Sequence, residues 1–305
     1  ESIQSFCEEN DMTCKYYKPK EATKEAYLAS VEKAVKNEAG IIVMAGSSFE
    51  TTVYDAQTVY PDVNFLLIDG VPHDDANNYT TAANTVGVIF AEEEAGYLAG
   101  YAAVKEGYKR LGFMGGQELP SVKRYGYGYV QGAAAAAAEL ETKIEMRYVY
   151  TGTFEASKDV RKLAASWYTA EKNGTEVIFA CGGAMGQSVI KAAEKNSGKV
   201  IGVDTDQSTD SDVVITTAEK GIAAAVDSIL GNYARGKFTG GLAFNYAAKN
   251  DGISLEMENS RFGKFKEDEY KKVLRQLRKG KIELKKDTSV GSVAELTGDW
   301  VTIVE

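Results

Sequence analysis

The stretch Val177-Ile178-Phe179-Ala180-Cys181-Gly182-Gly183, followed after one helical-period segment by Lys199-Val200-Ile201-Gly202-Val203-Asp204, decides the reading of this chain. Each run is short, continuous and rich in Val and Ile, as a strand covered on both faces must be, and each ends in small or acidic residues. Outward from this pair the same punctuation recurs at Ile41 to Ala45, Phe65 to Asp69, Thr85 to Phe90, Arg110 to Gly115 and Ile144 to Tyr150. Amphipathic segments separate the runs: Ala22 to Glu38, Glu92 to Gly107 with its repeated small and aromatic residues, and Tyr127 to Leu140 with the alanine run Ala133 to Ala138. Alanine is the best helix former, so that run marks a tightly packed helix rather than a linker. The expected fold class is α/β, a bilobed architecture of two doubly wound parallel-sheet lobes joined by a hinge.

At 305 residues the chain is about twice an ordinary ~150-residue domain. Pro120, inside Gly116 to Lys123, interrupts the pattern after the early strands and is taken as the crossing between lobes. Residues 1–117 with about 246–305 are therefore expected to form lobe 1, and 118–245 lobe 2. In that division the charged helix Lys264 to Lys279 packs back on lobe 1, and the alternating tail Asp299 to Glu305 adds a late strand. Glu1 to Glu9 already reads as helix, with Ile3 and Phe6 on its apolar face. Since a doubly wound lobe normally opens on a central strand, the first strand is expected to lie upstream of Glu1.

Composition narrows the chemistry. The 35 basic and 44 acidic side chains give a net charge of −9, no footprint for a nucleic acid. No apolar run reaches the ~18 residues of a membrane-spanning helix. His73 is the sole histidine, set in the polar loop Val71-Pro72-His73-Asp74-Asp75, so any Ser-His-Asp or Cys-His site must use it and multi-histidine metal sites are excluded. Neither a metal nor a cofactor is expected. Cys7 and Cys14 lie seven apart and allow a short-loop disulfide that spacing alone does not establish, while Cys181 reads as a buried small residue.

In an open parallel sheet, ligands bind beyond the carboxyl ends of the strands. The residues expected there are Gly152-Thr153-Phe154, Gly182-Gly183, Asp204-Thr205-Asp206-Gln207 and, past a strand at Val213 to Thr216, Thr217 and Lys220, with Gly46-Ser47-Ser48, Asp69-Gly70 and Ala91 with Glu92 to Glu94 in the first set. An aromatic face, carboxylates, an ammonium and small residues suit a flat ring joined to a polyol. A nucleotide-phosphate loop is disfavoured, because the turn after Cys181 matches neither the Walker pattern nor GxGxxG. Each residue alone has a structural use: Phe154 as packing, Asp204 and Asp206 as loop residues, Lys220 as a solvated helix lysine, and Glu92 to Glu94 as complements to a helix dipole.

Ala45-Gly46-Ser47-Ser48-Phe49, Tyr60-Pro61-Asp62-Val63-Asn64-Phe65-Leu66-Leu67-Ile68-Asp69, Ala95-Gly96-Tyr97-Leu98-Ala99-Gly100, Lys123 to Gly132, Tyr150-Thr151-Gly152-Thr153-Phe154, Phe179 to Gly183 and Ile201-Gly202-Val203-Asp204-Thr205-Asp206-Gln207 follow one another in a familiar order and spacing. In these residues the chain resembles the basic-membrane-protein (BMP) family, lipoproteins that are the nucleoside-binding components of ABC transporters. The resemblance implies a periplasmic-binding-protein fold that captures a nucleoside, most naturally a purine nucleoside, in the cleft between lobes and releases it unchanged. It implies that Asp204 accepts from ribose hydroxyls, Lys220 contacts the sugar, Phe154 stacks on the base, Asp69 reads the base edge, and Gly183 with Ser47 lines the sugar pocket. The family's Asp-Asp-x-Ser-Phe-Asn motif does not occur in these residues. The implied protein is a monomer, not an enzyme, extracytoplasmic and anchored by a lipid, with ABC permease subunits as partners. The competing readings are a sensory or effector domain for another solute such as a flavin or sugar, against which the acidic balance and the lack of a basic helix-turn-helix count, and a nucleoside-acting enzyme.

Overall fold

In the computed structural model the described residues are 2–170 and 173–304; Glu1 and Glu305, the outer ends of the helix and strand expected at the termini, lie outside them. The chain divides into two units, Glu1–Phe90 with Gly221–Tyr246 and Ala91–Lys220 with Ala247–Glu305. It therefore passes between them three times.

The first unit holds helices α1 (Ser2–Glu9), α2 (Lys24–Lys36) and α3 (Glu50–Val59) and strands β1 (Ile41–Ala45), β2 (Asn64–Ile68) and β3 (Thr85–Phe90). The helix later numbered α8 (Ile222–Ala234) and strand β9 (Leu242–Tyr246) complete it. The strands pair in the order β1-β2-β3-β9, all parallel. Helices α2 and α3 cover one face: Val31, Met44, Val53, Ala56, Phe65 and Leu67 form its apolar cluster. Thr23 caps α2 by accepting from the Ala26 N–H at 3.3 Å. Cys7 and Cys14 form a disulfide, closing the possibility their spacing left open.

The second unit holds α4 (Glu92–Glu106), β4 (Arg110–Gly115), α5 (Pro120–Glu139), β5 (Ile144–Tyr150), α6 (Lys158–Thr169), β6 (Val177–Cys181), α7 (Met185–Asn196), β7 (Lys199–Asp204), β8 (Val214–Lys220), β10 (Ile253–Leu255), α9 (Glu267–Arg278) and β11 (Val301–Val304). Its sheet runs β10-β8-β7-β6-β4-β5-β11, parallel except for β10. The chain leaves β4 toward β5 on one side and returns to β6 on the other, so the strand order reverses between β4 and β6. That is the doubly wound pattern. Alternate residues serve opposite faces: Met114, Ile178 and Ala180 join the cluster under α6 and α7, while the rings of Phe113 and Phe179 meet Tyr125 or Tyr129 of α5 on the other side.

Three segments fall in the other unit from the one expected. The first passage between units falls after Phe90 rather than near 117, because β4 pairs with β5 and β6 and so belongs to the second sheet. Pro120 occupies the first turn of α5, where its missing N–H costs nothing, so it marks a helix start and not a passage between units. The segment after 246, with α9 and β11, likewise belongs to the second unit, whereas Gly221–Tyr246, expected in lobe 2, belongs to the first, where β9 pairs with β3. Strand β8 also runs four residues beyond Thr216, since β7 pairs with it through Glu219 and β10 through Lys220. Lys220 is thus the last residue of a strand and not a helix lysine.

Helices α4 and α5 meet backbone to backbone. A Cβ added at Gly100 would collide with the Tyr129 carbonyl, and one at Gly132 with the Tyr97 carbonyl. Ala133 continues this contact, its backbone nitrogen 2.9 Å from where a Cβ of Gly100 would lie, and Ala136 and Ala137 after it are buried as well. Helix propensity alone would favour Gly132→Ala by about 1 kcal/mol. We expect the opposite sign: Gly100→Ala and Gly132→Ala each destabilise the protein by roughly 1–3 kcal/mol, because a facing carbonyl cannot yield as a flexible side chain can. Urea unfolding checks this, with the midpoint falling at unchanged slope.

Candidate functional site

Strands β8, β7, β6, β4 and β5 run parallel, so the residues that follow them share one rim of the second sheet. The order reversal between β4 and β6 makes loops leave that rim in opposite directions, the situation that opens a ligand crevice. Phe154, in the loop after β5, lies across this point. Its ring packs against Gly116, where a Cβ would come within 2.5 Å of two ring carbons. Its carbonyl accepts from the Met185 N–H at 2.9 Å, at the start of α7. Gly183 adjoins it: φ is +55° there, and an added Cβ would sit 3.8 Å from the Phe154 carbonyl oxygen. Phe154 is half-buried and Gly183 exposed.

Two strands further along, Asp204 closes β7 with φ at 71°, in the left-handed region that aspartate tolerates better than most residues. Its carboxylate is partly open, with 41% of the side chain exposed, and Lys220 at the end of β8 places Nζ 3.6 Å from Oδ1. Lys220 itself is 3% exposed. The Tyr125 ring lies under the ammonium at 5.4 Å, and the Tyr125 hydroxyl sits 3.4 Å from the Ala218 carbonyl and 3.5 Å from Asp204 Oδ1. Asp206 is used differently. It accepts from the Ser208 N–H and hydroxyl, both at 2.8 Å, and from Asn259 at 3.1 Å, so it shapes its own loop.

Sequence reasoning missed what stands behind Lys220. Glu92, in the first turn of α4, is fully buried. Its Oε1 lies 3.4 Å from Lys220 Nζ and its Oε2 accepts from Arg124 Nε at 2.7 Å. Arg124 on α5 in turn faces Asp287 at 3.8 Å. Burial works against the Arg124 charge, yet the Glu92 carboxylate beside it, together with Asp287 and Glu93, offsets this and raises its pKa. The neighbouring Glu93 pairs with Lys286 at 2.6 Å, and Glu94 accepts from the Ala248 N–H at 2.6 Å while burial raises its pKa. Three adjacent glutamates thus have three separate partners, which a solvated complement to the helix dipole would not need. The available signal was weak: an acidic trio directly after a strand whose rim position was already suspected.

In the first unit, Ser47 follows β1 and Asp69 follows β2, at the corresponding rim of that sheet, whose ends are tied by the Gly46 N–H to the Ile68 carbonyl at 2.8 Å. Asp69 has φ 61°, the same left-handed strand ending as Asp204. His73 is half-buried, 3.5 Å from Glu50, and its Nδ1 lies 2.7 Å from the Asp74 carbonyl oxygen. No described helix is long and apolar enough to cross a membrane, and no group of three or more His, Cys, Asp or Glu among the described residues could hold a metal ion.

Two α/β units with parallel sheets, each gathering polar residues at its carboxyl rim, define a solute-binding fold. The structure of an ABC transporter solute-binding protein from Aeropyrum pernix K1 has the same fold, with a TM-score of 0.73 at 20% identity over 97% of this chain and 84% of that one. The chain belongs to the Bmp family, described as PnrA-like ABC transporter substrate-binding proteins, which it matches over residues 1–288. It is 29% identical over 283 residues to the ABC transporter nucleoside-binding protein BmpA of Lactococcus lactis subsp. cremoris, covering 85% of this chain and 76% of that protein. It is 31% identical over 235 residues to basic membrane protein A of Borreliella burgdorferi, covering 75% of this chain and 66% of that one. The resemblance read from the motifs is thereby a family membership.

A Cβ at Gly183 would make only ordinary van der Waals contacts with Phe154, at 3.8 and 4.0 Å, so a substitution there tests chiefly its backbone. Gly183→Ala is expected to destabilise the protein by about 1 kcal/mol, the cost of placing an alanine in the left-handed region. A shift in the chemical-denaturation midpoint measures it.

Proposed function

We propose that this protein is the extracytoplasmic solute-binding component of an ABC importer, that its solute is a nucleoside, and that a purine base is preferred. What supports this most is the rim of the second sheet, where a partly open carboxylate, a buried ammonium and an aromatic ring follow parallel strands of one sheet around its switch point. The name of the Lactococcus lactis relative, a nucleoside-binding protein, agrees with that chemistry. In this reading Asp204 accepts from the ribose hydroxyls, Lys220 donates to sugar oxygens and Phe154 stacks on the base. Asp69 reads the base edge, and Gly183 and Ser47 line the sugar with small groups. The solute is bound and released without covalent change. Selection of a ligand-bound conformation then presents the protein to permease subunits, and a lipid anchor holds the monomer at the membrane.

Calorimetry of the protein against a panel of purine and pyrimidine nucleosides, free ribose and a flavin tests the proposal; uptake of a flavin or a free sugar in preference to any nucleoside would overturn it. Asp204→Ala is expected to weaken nucleoside binding at least tenfold, since a charged hydrogen bond to a ligand contributes about 1.5–3 kcal/mol, while the protein remains folded. Phe154→Ala is expected to weaken purine nucleosides more than free ribose. An equal loss for both would remove the stacking role.

A further inference from the structure

We propose that Gln207 and Thr217 are positioning residues for Asp204: together they latch the turn from which its carboxylate reaches the sugar diol. This rests on the assignment of Asp204 to the ribose hydroxyls made above. The observation behind it is a pair of hydrogen bonds that bracket one short loop. The Gln207 side chain folds back so that its Oε1 accepts from the N–H of Val203, just before Asp204, at 3.3 Å. The N–H of Gln207 itself donates to Thr217 Oγ1 on β8 at 3.1 Å.

Asp204 needs such holding. The Thr205 N–H donates to the Val203 carbonyl at 2.9 Å, closing a three-residue turn with Asp204 at its centre and φ at 71°. That is the strained hand of such a turn, and it persists only where the surroundings over-determine it. The sheet supports the turn unevenly. Pairing of β6 with β7 ends at Ile201, whereas β8 accompanies β7 as far as Glu219, opposite Asp204. Thr217 stands on that accompanying strand and is fully buried.

Room for the latch is made at Gly202, the partner of Thr217 in the ladder. A Cβ there would lie 2.4 Å from Gln207 Oε1 and 2.9 Å from Thr217 Oγ1. A glycine inside a strand marks a place where another group comes close to the backbone, and here that group is the Gln207 carboxamide. The loop beyond Asp204 has separate anchors, Asp206 to Ser208 and Asn259, and the Asp210 N–H to the Gln207 carbonyl at 3.0 Å. Gln207 is the residue of this loop whose side chain reaches back to the strand before the turn.

Breaking either hydrogen bond lets the turn relax toward an ordinary φ, which carries the carboxylate away from where it meets the diol. The loss therefore falls on ligands with 2′ and 3′ hydroxyls, and it disappears when Asp204 is absent. A role in folding alone would weaken every ligand alike, with or without Asp204.

The test is calorimetry of wild type, Gln207→Met, Thr217→Val and Thr217→Ser with adenosine, guanosine and inosine and with their 2′,3′-dideoxy counterparts. Gln207→Met, which keeps the length of the side chain and removes the acceptor, is expected to lose about fivefold or more for the ribonucleosides and less than about twofold for the dideoxy ligands. Thr217→Val, alike in shape but without the hydroxyl, is expected to show the same selectivity, and it carries the test should Gln207→Met fail to fold. Thr217→Ser keeps the oxygen and is expected to stay within about twofold of wild type. Combined with Asp204→Ala, Gln207→Met is expected to add no further loss, which decides the matter where dideoxy binding is too weak to measure. Equal losses for both ligand types, no loss in a folded Gln207→Met or Thr217→Val, a Thr217→Ser loss matching that of Thr217→Val, or a full further loss without Asp204 would overturn the latch while leaving the nucleoside reading intact. Wild-type protein that binds none of these nucleosides would overturn that reading, and the latch with it.

Discussion

An ammonium buried at the end of a strand has to be neutralised, and much of the second unit is arranged around that requirement. Lys220 is nearly inaccessible, so its charge needs carboxylates within a few ångströms. Asp204 comes from the adjacent strand, but Glu92 must be brought from α4, and a buried Glu92 then needs Arg124 from α5. This is feasible because α4 and α5 approach so closely that glycines replace side chains along their seam. Helices kept apart by larger side chains would hold Arg124 too far off for a 2.7 Å contact with the first turn of α4. The need for close packing and the need for charge compensation therefore select the same residues: a small-residue stripe along the seam and charged residues at its open end. Asp287 extends the requirement to the segment after α9, which Gln131 also secures by reciprocal hydrogen bonds with the Lys285 backbone, both 2.9 Å.

The strands were legible because each buried parallel strand needs a short apolar run and a small or polar stop. The seven runs expected from Ile41 to Asp204 coincide with β1 to β7 within one residue at either end. The tight helix at the alanine run and the closing strand near Trp300 were equally clear, since propensity and alternation act locally. Domain division was not. Where the chain changes units depends on which strands pair, and pairing of β4 with β5 and β6 is non-local information that no window around Pro120 contains. The same reason hid the true end of β8, whose last residues are held by β7 and by the antiparallel strand β10 from some thirty-five residues later.

At the site, legibility followed the same rule. Residues that end strands could be named, because a parallel sheet presents its strand ends along one rim: Asp204 and Lys220 meet there, and Phe154 and Gly183 meet there. Asp206 was part of the same motif but turns into its own loop, a choice made by Ser208 and Asn259 rather than by its neighbours in the motif. Glu92 was visible only as one member of an acidic helix start. Nothing local distinguishes a glutamate that will be buried between a lysine and an arginine from one that will face water. The deciding partners are 32 residues away in Arg124 and 128 away in Lys220.

The left-handed endings at Asp69 and Asp204 carry the argument one step further. Two parallel sheets, one in each unit, each end a strand on an aspartate with positive φ, at 61° and 71°. A single such residue is ordinary, since aspartate tolerates this conformation in turns. Two of them, each at the position beyond a parallel strand where ligands bind, amount to a repeated way of ending the strand. The left-handed step takes the backbone out of the ladder at once, so the chain turns away while the carboxylate stays at the rim. Glycine would make the same turn with less strain but would bring no acceptor, and a β-branched residue would resist the turn. Aspartate, like asparagine, satisfies both demands. The same ground separates these two positions from Asp206, which has an ordinary φ and spends its oxygens on its own loop.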